Sequence, residues 1–198
     1  MQSTKLVILG RDGILNEYRE GHVMSPDEWH PIAGAMEAVS RMNHAGWHVV
    51  VATNQAGIGR GMIDMAAVNA VHAHMNHQLM EQGARIDAVF FCPHMPEENC
   101  ECRKPKPGLF LDIGRRYGVD LAHVPVVGDT LRDLQAAQAA GCEPHLVLSG
   151  RAALLDEAQL QAVMQQVPQA HVHEDLAAFA EYLLRRDHVV DSASARLS

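Results

Sequence analysis

Five short apolar runs punctuate the chain. Residues 5–9, 48–53, 86–91, 124–128 and 145–148 are rich in β-branched side chains and are bounded by Gly, Pro, Asn, Asp or a polar turn residue, the pattern of strands buried on both faces. Between them, apolar residues recur at helical spacing over 33–45, 64–82, 108–117 and 130–140. Gly46, Gly83, Gly118 and Gly141 stand just past these segments, where a left-handed residue ends a helix. The alternation predicts an α/β fold, a doubly wound parallel sheet. After the fifth strand, two more helices (152–166 and 174–185) flank "QAHVH" at 169–173, which can form a short sixth strand. Residues 187–198 lack an apolar period and are expected to fray, leaving 1–186 as a single domain.

Composition narrows the function classes. With 198 residues, 47% hydrophobic and 20% charged, the chain can bury a full core but is too short for two domains of ordinary size. Its formal net charge is -8 and it has no Lys/Arg-rich run, so neither nucleic acid nor an anionic membrane is an expected partner. The first apolar run is too short for a signal or spanning segment. A cytoplasmic monomer acting on a small molecule is expected.

In a doubly wound sheet, ligands bind beyond the carboxyl ends of the strands. The residues there are Gly10-Arg11-Asp12, Thr53-Asn54-Gln55, Cys92-Pro93-His94 and Gly128-Asp129. In "CPHMPEENCEC", Cys92 and His94 are followed at short spacing by Cys100 and Cys102. Three thiolates and one imidazole match a closed tetrahedral Zn2+ site, which is structural because no coordination position stays open. Cys142, at a helix end, reads as a small buried apolar residue. His72, His74 and His77 share one helix without a Cys or carboxylate to complete a ligand set, and read as solvated polar positions.

Further candidates follow the strands. Thr53 and Asn54 precede the Gly-rich stretch "QAGIGRG", whose backbone N–H groups, from Ala56 onward, suit an oxyanion. Arg103 and Lys104 follow the last thiolate directly, tethered for a phosphate clamp. Asp129 and Asp133 lie four residues apart at a helix start and could hold Mg2+ through oxygen ligands and waters, or simply cap the helix.

In order, "GRDG", "TNQ", "RKPKPG" and "VGDTLRDL" resemble the four motifs of the haloacid dehalogenase superfamily of phosphohydrolases. With the zinc loop, residues 4–185 look like its heptose 1,7-bisphosphate 7-phosphatase family; histidinol-phosphate phosphatases share that loop and are the alternative. The resemblance implies a Rossmann-like core without a separate cap domain, so loops such as 18–29 would shape an open pocket. It also implies a cytoplasmic, Mg2+-dependent hydrolase of carbohydrate metabolism acting on a sugar phosphate in heptose biosynthesis.

Residue by residue, the resemblance makes Asp12 the general acid and base and gives Mg2+ the Asp12 backbone carbonyl and Asp129, with Asp133 behind them. Thr53 stabilises the phosphoryl group, Lys104 neutralises it, and Arg103, Asn54, Gln55 and Ala56 bind substrate. In the family a first Asp attacks phosphorus to form an aspartyl-phosphate. Here Gly10 holds that position. Without the nucleophile, turnover is expected to fall on the order of 10⁶-fold, by analogy with removal of a serine-protease nucleophile. A non-catalytic sugar-phosphate binding protein is the alternative from another class.

Overall fold

The computed structural model describes the backbone of residues 4–195 and the side chains of residues 4–187. Six strands, β1 (Leu6–Leu9), β2 (His48–Asn54), β3 (Ala88–Cys92), β4 (Pro125–Gly128), β5 (Glu143–Val147) and β6 (His171–His173), form one sheet in the order β3-β2-β1-β4-β5-β6. Every neighbouring pair is parallel. The expected doubly wound fold is present, and "QAHVH" supplies the sixth strand.

Alternate residues of the central strands feed opposite faces, as the two-residue period of a strand requires. Val7, Leu9, Val49 and Val51 pack beneath α1 (Ala35–His44), α3 (Met65–Glu81) and α7 (Leu176–Ala195). Leu6, Ile8, Val50 and Ala52 pack against α4 (Gly108–Tyr117) and α5 (Leu131–Ala140), while α6 (Glu157–Gln166) joins a smaller cluster around Leu134 and Leu146. A four-residue helix, α2 (Ala56–Gly59), follows β2 directly. Burial on both faces explains the near-continuous apolar runs.

Two expectations need correction. The helix expected over 152–166 is divided into a 3-10 turn, Ala152–Leu154, and α6. Asp156 separates them because its side chain accepts from Gln159 N–H while the Gln159 side chain accepts from Asp156 N–H, a reciprocal cap that starts a new helix. The expected frayed tail is also helical as far as Ala195; residues 196–198 lie outside the described residues. Leu176, Phe179, Ala180 and Leu183 bury the first turns of α7. Asp187 then binds Lys5 Nζ at 3.0 Å and the Trp47 indole N–H at 2.8 Å. No Gly or Pro interrupts the helix beyond that point.

The chain winds from β1 through β2 to β3 on one side of the sheet and from β4 through β5 to β6 on the other. The strand order therefore reverses between β1 and β4, opening a crevice beyond their carboxyl ends. Gly10 N–H donates to Val127 O at 2.9 Å at its floor. Among the described residues, no helix is long and apolar enough to cross a membrane.

Candidate active site at the strand ends

A cavity of about 390 Å³ occupies this crevice, lined by residues that include Gly10, Asp12, Thr53, Asn54, Arg103, Lys104 and Asp129. Asp12 stands at its floor, held by three neighbours. The Arg11 guanidinium donates to Asp12 through Nη2 at 2.9 and 3.2 Å and through Nε at 3.3 Å. Asn16 Nδ2 donates at 3.0 Å and Gln55 Nε2 at 3.2 Å. Burial works to raise the Asp12 carboxyl, but the Arg11 charge and these hydrogen bonds outweigh it and hold the pKa below the ordinary carboxylate value.

β2 delivers the next group. Thr53 is buried at the cavity wall, and its hydroxyl accepts from Gln55 Nε2 at 3.0 Å. Asn54 clamps the main chain of Lys104: its amide donates to Lys104 O, and Lys104 N–H donates to its side-chain oxygen, both at 3.2 Å. Lys104 Nζ thereby reaches Ala52 O at 3.0 Å and Asp133 Oδ1 at 2.5 Å. Asp133 caps α5 reciprocally with Thr130, and Lys104 with the Thr130 hydrogen bonds keeps its pKa low despite full burial. It supports Lys104 from behind.

Asp129 has no comparable cation. Burial and the neighbouring Asp133 charge push its pKa well above the carboxylate range, against the Arg151 N–H that donates to its Oδ2 at 2.8 Å. Gly13 and Gly150, both in the left-handed region, pack against this carboxylate, and a Cβ on either would overlap Asp129 Oδ2. A desolvated carboxylate at a cavity wall suits a hard divalent cation such as Mg2+. Gly10 is different. Its φ lies outside the left-handed region, and a Cβ built there sits 3.0 Å from Ile14 Cγ1 and 3.7 Å from Val127 O. The backbone therefore admits a side chain, provided Ile14 yields by a few tenths of an ångström.

The loop after β3 gathers Cys92, His94, Cys100 and Cys102, whose ligand atoms lie within 4.8 Å of one another. Cys100 Sγ is 3.5 Å from both Cys92 Sγ and Cys102 Sγ, and His94 Nδ1 is 3.6 Å from Cys92 Sγ and 3.2 Å from Cys102 Sγ. A tetrahedral site with Zn–S bonds of about 2.3 Å has S–S edges of about 3.8 Å, so the donors fit Zn2+ closely. Arg103 Nη1 donates to His94 O at 3.3 Å, which ties the cluster to the cavity rim. Cys142 is buried as expected, and burial pushes its thiol up to about 12.

The structure redistributes several expected roles. Gln55, expected to touch substrate, is buried beneath Asp12 and Thr53 and does not line the cavity. His72 is half-buried, and its Nε2 lies 3.1 Å from Arg11 Nη1. His74 meets the Trp29 ring edge-on, with ring centroids 6.0 Å apart, and His77 alone of the three is exposed. Both contacts arise because α3 packs against the turn at Pro26–Glu28 and beside Arg11 and Phe91, a placement that spacing along the helix does not encode. Arg60, Arg132 and Arg151 also line the cavity, and Arg151 lies over the Tyr18 ring at 4.4 Å. The clues to Arg60 and Arg132 were the stretches "GIGRG" and "VGDTLRDL" that contain them; Arg151 carried none.

Comparison with known proteins fits this arrangement. Residues 101–179 match the HAD-hydrolase-like family model. The chain is 49% identical over 91% of its length to the D-glycero-beta-D-manno-heptose-1,7-bisphosphate 7-phosphatase of Bordetella bronchiseptica, covering 98% of that protein. It is 42% identical over 92% to the Pseudomonas aeruginosa protein of the same name, covering 99% of it. The chain belongs to the D-glycero-beta-D-manno-heptose-1,7-bisphosphate 7-phosphatase family. It is thus a member of a family of phosphoric monoester hydrolases. Among solved structures, the heptose bisphosphate phosphatase of B. bronchiseptica, crystallised with magnesium and phosphate, superposes with a TM-score of 0.84, covering 92% of this chain and 99% of that one. The Burkholderia thailandensis heptose bisphosphate phosphatase gives 0.70 at 46% identity, covering 91% and 98%.

Proposed function

We propose that this chain binds D-glycero-β-D-manno-heptose 1,7-bisphosphate in the strand-end cavity with the 7-phosphate beside Thr53 and Lys104, and that it hydrolyses the ester poorly or not at all. The single observation that carries this reading is Gly10: the surrounding groups are in place, but the position facing the phosphorus has no carboxylate. Thr53 and the N–H groups at the start of α2 receive the phosphoryl oxygens, and Lys104, supported by Asp133, offsets their charge. Asp12 is placed to give the leaving oxygen a proton, one it takes up from solvent as the anionic substrate binds beside it, and to take one back from water. Arg103 contacts the remainder of the substrate from the zinc loop. Mg2+, when held by Asp129 and the Asp12 main-chain carbonyl, adds positive charge at the transferring group.

Gly10 also favours a second reading, in which the chain is a sugar-phosphate binding protein. The two part on one experiment. Calorimetry on the unaltered chain is expected to show saturable binding of the bisphosphate with little phosphate release. Gly10→Asp, with Mg2+, is expected to release phosphate at a rate ordinary for an enzyme, on the order of 10 per second. A folded Gly10→Asp variant that binds the sugar and stays inert would establish the binding protein instead. Histidinol phosphate, assayed alongside, separates the two phosphatase families.

A further inference from the structure

Among the described residues, Arg11 is the largest fully buried side chain. Its guanidinium is spent in two directions: Nε and Nη2 fork onto Asp12, while Nη1 meets His72 Nε2 at 3.1 Å. A guanidinium can only donate. His72 Nε2 must therefore present a lone pair, which places the imidazole proton on Nδ1 and leaves the ring neutral. Burial, with Arg11 close by, also keeps the ring from charging. His72 projects from α3, a helix that contributes no group to the cavity, and its ring also leans on Phe91 with centroids 6.4 Å apart.

We propose that His72 is a positioning residue for Asp12, acting through Arg11. A buried guanidinium without an acceptor at Nη1 would have an unpaired donor, and the fork would rotate to satisfy it. With His72 accepting, the fork is fixed, and the Asp12 carboxyl points where a leaving oxygen would stand. The inference rests on the reading of Asp12 as the proton donor. It adds a residue from outside the strand ends to the machinery of that step.

Two measurements test it. In the unaltered chain, nitrogen NMR of the His72 ring at neutral pH is expected to show a neutral imidazole with Nδ1 protonated; a proton on Nε2 overturns the proposal. In the Gly10→Asp background, His72→Leu removes the acceptor, and His72→Gln returns an amide oxygen near the place of Nε2. A sugar alkoxide needs a proton to leave and 4-nitrophenolate does not, so loss of a well-placed acid falls selectively on the sugar ester. His72→Leu is expected to slow the heptose bisphosphate about tenfold or more and 4-nitrophenyl phosphate by less than about threefold, with most of the loss recovered in His72→Gln. Equal losses on both esters, or none, overturn the proposal. If Gly10→Asp itself is inert, the account of Gly10 fails, and the His72 tautomer still decides this inference.

Discussion

Lys104 Nζ lies 2.5 Å from Asp133 Oδ1, and both side chains are buried. Removing one partner of such a pair leaves an uncompensated charge away from water, which costs about 3 kcal/mol or more. Asp133→Asn is therefore expected to lower unfolding free energy by about 3 kcal/mol, read from urea melts. It should also weaken binding of the bisphosphate, because Lys104 loses the contact that aims it. Unchanged urea midpoints would show that the pair carries little of the fold.

Restoring a carboxylate at position 10 adds a like charge to a rim that already holds Asp12, Asp129 and Asp133. The Gly10→Asp variant is therefore expected to melt below the parent without divalent ions, through both repulsion and the contact with Ile14. Mg2+ should raise its melting temperature by at least about 2 °C more than it raises the parent's, as ligand binding to the native state requires. Differential scanning calorimetry with and without Mg2+ measures this. Equal shifts would mean that position 10 is no part of the cation site.

The strand-end chemistry was legible because topology alone locates it. Once five apolar runs alternate with helices, Asp12, Thr53 and Asp129 must lie at the same edge, and Lys104 follows a loop anchored at that edge. Contacts across layers were not legible in this way. Whether His72 meets solvent or Arg11 depends on how α3 crosses the sheet, and whether Gln55 faces ligand or Asp12 depends on the turn into α2. The helical course of residues 187–195 was missed because their weak apolar period hides the anchorage of Asp187 on Lys5 and Trp47.

The thiolate cluster predicts one zinc per chain in protein purified without chelator, measured by elemental analysis. Cys100→Ser is expected to lose the metal and to lower thermal stability, since metal binding contributes directly to folding in such loops. Because Arg103 and Lys104 follow Cys102 directly, affinity for the bisphosphate should fall as well. Full zinc content in Cys100→Ser would remove that residue from the ligand set.

Acid should weaken the sheet edge at β5 and β6. His145 Nδ1 and His173 Nε2 share a hydrogen bond of 3.0 Å, and burial lowers both rings, His173 to about 4. The unfolded chain takes up these protons near pH 6.5 while the native state refuses them, so stability is complete above pH 6.5 and is lost as pH falls towards 4. Glu143 extends the trend. The His145 ring, whose Nε2 lies 3.9 Å away, and the pairing with Arg186 overcome burial and depress its carboxyl to about 2, so its contribution is present above about pH 4.5 and disappears as pH falls through 2. Urea midpoints measured from pH 7 to pH 4 should decline, and His173→Gln should flatten the decline by up to one proton's slope.

The bond between Lys5 and Asp187 joins residues 182 positions apart, and it closes the face of the sheet that contains β1. β1 is a central strand of the sheet, yet one of the helices that cover Val7 and Leu9, α7, follows all six strands in the chain. During translation the most apolar strand of the sheet must therefore wait, partly bare, until α7 has left the ribosome. For this protein, assembly in the cell is a problem of late closure: a ribosome stalled within α7 would hold a nearly finished sheet with its oldest strand still open to chaperones.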